Sequence, residues 1–357
     1  MPENNVGVAI IGCGNIAGPY AKDLAAYDEI DLRGMTDLDL ARAEALAAEH
    51  GGQVYPSMEA LLADPGVDIV VNLTIHHAHY AVTTQCLEAG KHVFSEKPLA
   101  LTHEEAQRLV ALADENGARL GCSPFTFMGE AQQTAWKEIR EGRLGTVRVA
   151  YAEVNWGRIE SWHPNPEPFY DVGALYDVGV YPLTLLTTIF GPARRVRAYA
   201  TVLYPDRVTS EGRPFHLETP DFMLTTVEWS DGLVVRLTTN FYVNYYSKQT
   251  GLEFHGDLGS LYLTSWADFH SALEFADFGE SYAPIPLLKE PYEGTEWGRG
   301  IREMAEALRQ NRPHRATGAQ AAHVVEILEA ATQSAHDGAP VELHSTFTPP
   351  APMDWAV

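Results

Sequence analysis

Cysteine and cationic side chains are both scarce in this sequence, and no apolar run is long. Only 3 of 357 residues are cysteine, namely Cys13, Cys86 and Cys122, widely separated and each inside an apolar stretch. With an odd count and no CxxC pair, neither a disulfide framework nor a cysteine zinc site is indicated. The three read as small core residues of a protein kept in a reducing compartment. Lys and Arg number 25 against 48 Asp and Glu, for a formal net charge of −23. Nucleic-acid affinity needs clustered cations to release counterions, so nucleic acid and anionic membranes are excluded as expected partners. No segment approaches the ~18 apolar residues of a bilayer span. The start, Met1-Pro2-Glu3-Asn4-Asn5-Val6, lacks the basic and apolar regions of a secretory signal. A cytoplasmic location is expected.

What is present is enough apolar material for packed cores: 45% hydrophobic residues in a chain whose length favours two domains over one. Up to about residue 122, short β-branched runs (Val6–Ile11, Asp31–Met35, Asp68–Leu73, His92–Phe94, Arg119–Cys122) alternate with amphipathic stretches (Leu38–His50, Ala78–Ala89, His103–Asn116). Continuous apolar strands separated by helices predict a parallel sheet covered on both faces, an α/β doubly wound Rossmann domain over residues 1–123. After Ser123-Pro124 the rhythm changes. A helix near Gly129–Arg140, a strand at Val147–Asn155, a buried helix over Gly173–Phe190 and alternating runs such as Phe222–Trp229 and Leu233–Phe241 predict an α+β domain over 124–357 with a large, open, mostly antiparallel sheet. Helices near Gly300–Gln310 and Gln320–His336 close it.

The first strand runs into Gly12-Cys13-Gly14-Asn15-Ile16-Ala17, a G-x-G-x-x-A dinucleotide fingerprint. Gly12 permits the tight turn, Gly14 lets backbone approach a diphosphate, and Ala17 allows close helix–strand contact. Asn15 and Ile16 complete that turn, and the helix N-terminus offers amide donors to the anion. Asp37, at the end of the second strand, would accept from ribose hydroxyls and repel a 2′-phosphate. NAD is therefore favoured, while Arg42 one turn onward keeps NADP open.

The fifth strand ends in Ser95-Glu96-Lys97-Pro98, at the strand ends that line the ligand crevice of an open α/β sheet. With the fingerprint and the strand-rich second half, this element makes the chain similar to the glucose–fructose oxidoreductase/inositol dehydrogenase/rhizopine-catabolism family. The resemblance extends through Asn72-Leu73-Thr74 to His79, Ala89-Gly90-Lys91-His92-Val93, Gly142-Arg143-Leu144-Gly145, Gly256-Asp257-Leu258-Gly259-Ser260 and Gly300-Ile301-Arg302-Glu303. It implies that Leu73, Thr74, His79, Glu96 and Lys97 line the cofactor. Family members carry a D-x-G-x-H helix motif, and here Asp177-Val178-Gly179-Val180-Tyr181 stands in its place. A Tyr at that position resembles the branch that includes glucose–fructose oxidoreductase and dimeric dihydrodiol dehydrogenases, where a Tyr is the acid/base.

On that resemblance Tyr181 is the expected general base in oxidation, Lys97 its electrostatic partner and hydroxyl donor, and Asp177 the orienter of substrate. A phenol ordinarily ionises near pH ~10, and a neighbouring ammonium and the oxidised nicotinamide would each favour phenolate. Lys97 as the base remains an alternative. Asp177 and Tyr181, at i and i+4, would share one helix face. The loop bearing Trp162-His163-Pro164 suits a sugar, which presents an apolar face and a hydroxyl rim. His76-His77-Ala78-His79 could suggest a metal, but hydride transfer by a Tyr–Lys pair needs none, and no metal is expected.

The sequence thus predicts an NAD-dependent dehydrogenase moving hydride between a secondary alcohol of a sugar, sugar derivative or cyclitol and nicotinamide. Oxidation at the anomeric carbon of an aldose, redox-neutral NAD-dependent glycoside cleavage and a non-catalytic sugar sensor are the alternatives. A homodimer or homotetramer is expected, since a broad open sheet usually finds a partner.

Overall fold

The computed structural model describes residues 5–357. They form two compact units, one running to Phe125 and including Glu296–Val325, the other made of Thr126–Thr295 and Glu326–Val357. The first junction lies close to the expected division after residue 123. Residues 296–325, expected in the second domain, belong with the first.

The first unit alternates β1 (Val6–Ile11), α1 (Ala17–Ala26), β2 (Ile30–Thr36), α2 (Leu40–His50), β3 (Gln53–Val54), α3 (Met58–Leu62), β4 (Ile69–Asn72), α4 (His79–Glu88), β5 (His92–Ser95), α5 (His103–Glu115) and β6 (Leu120–Cys122). All six strands run parallel in the order β3-β2-β1-β4-β5-β6. β1 and β4 are buried along their whole length, as expected of strands covered on both faces. The order reverses between β1 and β4, so the carboxyl ends of those two strands open the crevice in which such sheets bind ligands.

The helix Arg299–Arg309 returns to this unit for identifiable reasons. Gly300 sits where a Cβ would come within 2.5 Å of Phe94 and 2.8 Å of Phe125. Gly298 donates its N–H to Asp23 at 3.0 Å, Arg119 donates to the Arg312 carbonyl at 2.5 Å, and His314 Nε2 lies 3.1 Å from the Leu120 carbonyl. An amphipathic pattern announces an apolar face but not which sheet that face will cover.

In the second unit α6 (Glu130–Arg140) precedes β7 (Val147–Asn155), α7 (Glu167–Ala174), a widened π turn (Leu175–Gly179) and α8 (Val180–Phe190). The remaining strands are β8 (Arg195–Thr201), β9 (Asp206–Val208), β10 (Pro214–His216), β11 (Phe222–Glu228), β12 (Val234–Asn240), β13 (Gly251–Gly256), β14 (Gly259–Leu263), β15 (Leu273–Asp277), β16 (Ala283–Pro284) and β17 (Val341–Glu342). Eight of them join β7 in one nine-stranded sheet, ordered β16-β15-β14-β13-β7-β12-β11-β8-β17, while β9 and β10 form a separate hairpin. Within the nine-stranded sheet only β7 and β12 pair in parallel.

Two readings of the segment before Phe190 need correction. The helix starts at Glu167 rather than Gly173, and Gly173 interrupts it at φ +80 and ψ 163. That backbone is reserved for glycine, because a Cβ there meets the neighbouring carbonyls. Counted as one helical segment, Glu167–Phe190 is also long and apolar enough by composition to cross a membrane, which the sequence reading did not anticipate. Its most apolar window is 78% buried within the fold, the situation of a core helix.

Candidate active site

In the first unit, Gly12 joins β1 to α1 at φ +95, and a Cβ there would lie 2.7 Å from the Leu73 carbonyl. Gly14 instead faces open space, with nothing within 4 Å of where its Cβ would be. The Ala17 N–H donates to the Gly14 carbonyl at 3.0 Å, closing the turn, with Asn15 exposed and Ile16 half-buried within it. No side chain caps α1, so its first-turn amides can serve an anion. A glycine-lined gap over an uncapped helix start fits the diphosphate of a dinucleotide.

Asp37 stands at the carboxyl end of β2, where Oδ2 accepts the Cys13 N–H at 2.7 Å and Oδ1 accepts the Asp39 N–H at 2.8 Å. A carboxylate has about four acceptor positions, so two remain for ribose hydroxyls. Arg42 pairs with Asp39 at 3.5 Å. Burial, with the Asp37 charge adding to it, pushes the Cys13 thiol up to about 12. All three cysteines are free and buried, and burial raises Cys86 and Cys122 as well. They are core thiols and not nucleophiles.

The Glu96-Lys97-Pro98 turn is braced on two sides. Glu96 Oε1 accepts from the Tyr20 hydroxyl at 2.5 Å and Oε2 from the Lys97 N–H at 3.0 Å, while the Tyr20 hydroxyl lies 2.9 Å from Ser123 Oγ. Tyr20 is fully buried and packs beside Trp297 at 5.6 Å between centroids. His79 supplies the second brace: Nδ1 is 2.7 Å from the Pro98 carbonyl and Nε2 is 3.0 Å from the Thr74 carbonyl. Both ring nitrogens thus lie against backbone carbonyls, to one of which a neutral ring can donate. Burial pushes the imidazole below its ordinary range, and the two carbonyls partly oppose that. Thr74 donates its hydroxyl to Asn72 Oδ1 at 2.7 Å, and the Leu73 N–H donates to Ile11 at 2.8 Å, which fixes the end of β4 beside Gly12. Lys97 is half-buried at the head of this assembly. Among the described residues no three metal-ligating side chains converge.

In the second unit, Asp177 lies buried in the π turn and Tyr181 lies half-buried in the first turn of α8. Pro182 has no N–H for the Val178 carbonyl and its ring crowds that carbonyl, which accounts for the widening. The pair therefore departs from the α-helical i, i+4 relation expected of it. Such turns recur at functional sites. The Tyr181 ring lies 4.9 Å from Trp266, a residue that nothing in the sequence pattern singles out. Trp162, His163 and Phe169 pack edge to face among themselves, with centroids 4.9 to 5.9 Å apart, and Trp162 is 53% exposed.

A buried ion cluster was also illegible in the sequence. Arg207, in β9, donates to Glu160 at 2.9 Å, to the Tyr170 hydroxyl at 2.7 Å, to the Tyr204 carbonyl at 3.0 Å and to Asp221. Tyr170 in turn donates to Glu160 at 2.5 Å.

The first unit is therefore a dinucleotide-binding domain whose strand ends present a braced lysine, and the second pairs an open sheet with a helix carrying a buried acid and a half-buried phenol. That combination defines a two-domain oxidoreductase class. Residues 6–123 match the family model described as oxidoreductase family, NAD-binding Rossmann fold, and residues 132–262 match the GFO/IDH/MocA C-terminal domain. The chain belongs to the GFO/IDH/MocA family of oxidoreductases. It is similar to the D-glucoside 3-dehydrogenase of Escherichia coli, at 26% identity over 96% of this chain and 99% of that protein. It is also similar to the 1,5-anhydro-D-fructose reductase of Ensifer adhaerens, at 28% identity over 71% of this chain and 74% of that one. A levoglucosan dehydrogenase solved with NADH and levoglucosan shares the fold, with a TM-score of 0.81 at 19% identity over 95% of this chain and 99% of that one.

Gly12→Ala tests the cradle. It forces a Cβ against the Leu73 carbonyl at positive φ, a strain on the order of 1–3 kcal/mol, so NAD(P) binding measured by calorimetry should weaken roughly ten- to a hundredfold. Affinity equal to that of the unaltered protein would mean that this turn does not hold the diphosphate.

Proposed function

We propose that this protein is an NAD-dependent dehydrogenase acting on a secondary alcohol of a sugar, sugar derivative or cyclitol, with Tyr181 and Lys97 as its proton-handling pair. The observation that carries the reading is the E-K-P lysine, held by Glu96–Tyr20 on one side and His79–Pro98 on the other, in a chain of this family. A lysine serving only as surface charge would need no such bracing. Relatives named for anhydrofructose reduction and glucoside oxidation support a sugar-like substrate.

When bound, the nicotinamide supplies the hydride acceptor or donor. The Tyr181 phenolate oxygen takes the proton of the substrate alcohol during oxidation, and the resulting hydroxyl returns it during reduction. Lys97 donates a hydrogen bond to the reacting oxygen and, as an ammonium, favours the phenolate. Asp177 orients a neighbouring hydroxyl. Cofactor preference follows from Asp37, whose fixed carboxylate accepts a ribose diol and repels a 2′-phosphate, with Arg42 already paired to Asp39.

The test is a screen of sugars and cyclitols with NAD and NADP, followed by the ultraviolet absorbance of reduced nicotinamide. Oxidation of a sugar alcohol with NAD preferred is the expected result. Absence of turnover across the screen, in both directions, would reject the reading.

A further inference from the structure

Resting on the reading that Tyr181 acts on a sugar hydroxyl, we propose that the substrate is a glycoside whose anomeric carbon carries a second ring, and that this ring lies on a run of aromatic side chains leading outward from Tyr181. The run is entirely within the second unit. Trp266 lies 4.9 Å from Tyr181, Trp156 lies 5.8 Å from Trp266, Tyr245 lies 5.5 Å from Trp156 and Tyr246 lies 5.6 Å from Tyr245. Exposure climbs along it, from buried Trp266 through half-buried Trp156 to Tyr245 at 57% and Tyr246 at 88%. Each step is about the width of a pyranose ring. One sugar positioned at Tyr181 covers only the inner end and leaves the outer tyrosines to water.

The outer rings sit on a fixed scaffold. β7 and β12 are parallel neighbours with Asn155 and Asn240 as register partners, so the loops after both strands leave from the same end of the sheet. Asn240 Nδ2 donates to Asn155 Oδ1 at 2.6 Å, and Asn155 Nδ2 donates to the Gln249 carbonyl at 2.7 Å. Asn240 Oδ1 accepts the Val243 N–H at 2.7 Å, and Asn244 Oδ1 accepts the Tyr246 N–H at 2.8 Å. The Trp156 N–H donates to the Asn240 carbonyl at 3.1 Å. The loop after β12 is thus pinned at both ends to Asn155, beside Trp156, and presents its aromatics with little ordering left to do on binding. Flat C–H faces of a sugar or an aromatic aglycone suit such rings, and the phenol hydroxyls at the rim suit a partly wet ligand.

The chemistry follows. With the anomeric carbon substituted, the hydride leaves a ring secondary alcohol for NAD(P), the hydroxyl proton goes to Tyr181, a ketone forms, and the glycosidic bond is untouched. Oxidation at the anomeric carbon is excluded by the same substitution.

The experiment uses the full chain with NAD(P) and a panel of hexopyranoses, each offered as free sugar, methyl glycoside, phenyl glycoside and disaccharide in both anomers. The phenyl and disaccharide arms separate an aromatic aglycone from a second sugar as the source of the ring. Expected is a kcat/KM at least roughly tenfold higher for a two-ring substrate than for the methyl glycoside of the same sugar. In the Tyr245→Ala/Tyr246→Ala variant that ratio should collapse towards unity, through KM rather than kcat. Equal use of one-ring and two-ring substrates, or an unchanged ratio in the variant, overturns the proposal. A variant that alters the sedimentation behaviour while the ratio stays put makes the run an interface between copies and overturns it too. Should no sugar be oxidised, the parent reading fails, and calorimetry decides this one alone. Heat of binding for the phenyl glycoside or disaccharide, lost in the variant, supports a two-ring site; no heat with either rejects it.

Discussion

Arg207→Met is expected to destabilise the second unit by about 3–5 kcal/mol, the cost of breaking a buried ion pair from one side. The Arg207 and Asp221 side chains are fully buried and Glu160 nearly so. Removing the guanidinium leaves two carboxylates in the interior without their counter-charge, and the methionine cannot donate to either. Tyr170 supplies no replacement counter-charge, since its hydroxyl is a neutral donor to Glu160. Burial, together with its hydrogen bond to Glu160, holds the phenol protonated well above its ordinary range. A chemical denaturation midpoint resolves a loss of this size. Arg213→Ala is the control, because Arg213, in the turn of the same hairpin, pairs with Glu167 at the start of α7 but is 52% exposed, and its midpoint should stay near that of the unaltered protein. Equal midpoints for the two variants would mean that water reaches the Arg207 cluster. The cluster ties together the loop after β7, the start of α7, the β9–β10 hairpin and the start of β11 through Glu160, Tyr170, Arg207 and Asp221 respectively. Loosening it should therefore also raise KM for any substrate held by the Trp162 loop.

Much of the first unit was legible because its signals are local. β1 falls on Val6–Ile11 as read, and β2, β4, β5 and β6 lie within a residue or so of the runs that announced them. Each is a short, mostly apolar segment followed by a turn or loop, and such strands advertise themselves without knowledge of their neighbours. The Gly12 turn was equally legible, since positive φ and a carbonyl 2.7 Å from the missing Cβ leave few alternatives to glycine. The strands β7, β11 and β12 were read from alternation for the same reason.

What escaped was what depends on distant partners. β9 and β10 have three residues each, too few to show a period, and their hairpin exists to carry Arg207 into the interior. Nothing near Arg207 in sequence distinguishes it from a surface arginine; its partners are 47 residues upstream and 14 downstream. Trp266 likewise gains meaning only beside Tyr181. The π turn is hidden in the sequence because Asp177 and Tyr181 fit an α-helical face at i and i+4, while the break at Gly173 and the missing N–H of Pro182 leave no periodic signal. His79 was legible as a residue near the crevice, but the placing of both ring nitrogens against backbone carbonyls could not be read from spacing.

Tyr181→Phe and Lys97→Ala should each lower kcat on the best sugar substrate by roughly 10²–10⁴-fold, the range for loss of a positioned proton-transfer group. Phenylalanine keeps the ring that packs on Trp266 at 4.9 Å and deletes only the hydroxyl. The fold around α8 should therefore survive, and a loss of rate can be assigned to the missing proton carrier. NAD binding should persist in both variants, because the Gly12–Ala17 turn and Asp37 are untouched and Glu96 keeps its bond to Tyr20. The double variant carries the sharper information. If the phenol depends on the ammonium, each single change already disables the unit, and the double loses little more than the worse single. Losses that multiply would mean that the two side chains act in separate steps. Single variants that turn over like the unaltered enzyme would remove both residues from the chemistry and leave the braced E-K-P turn as a structural element alone.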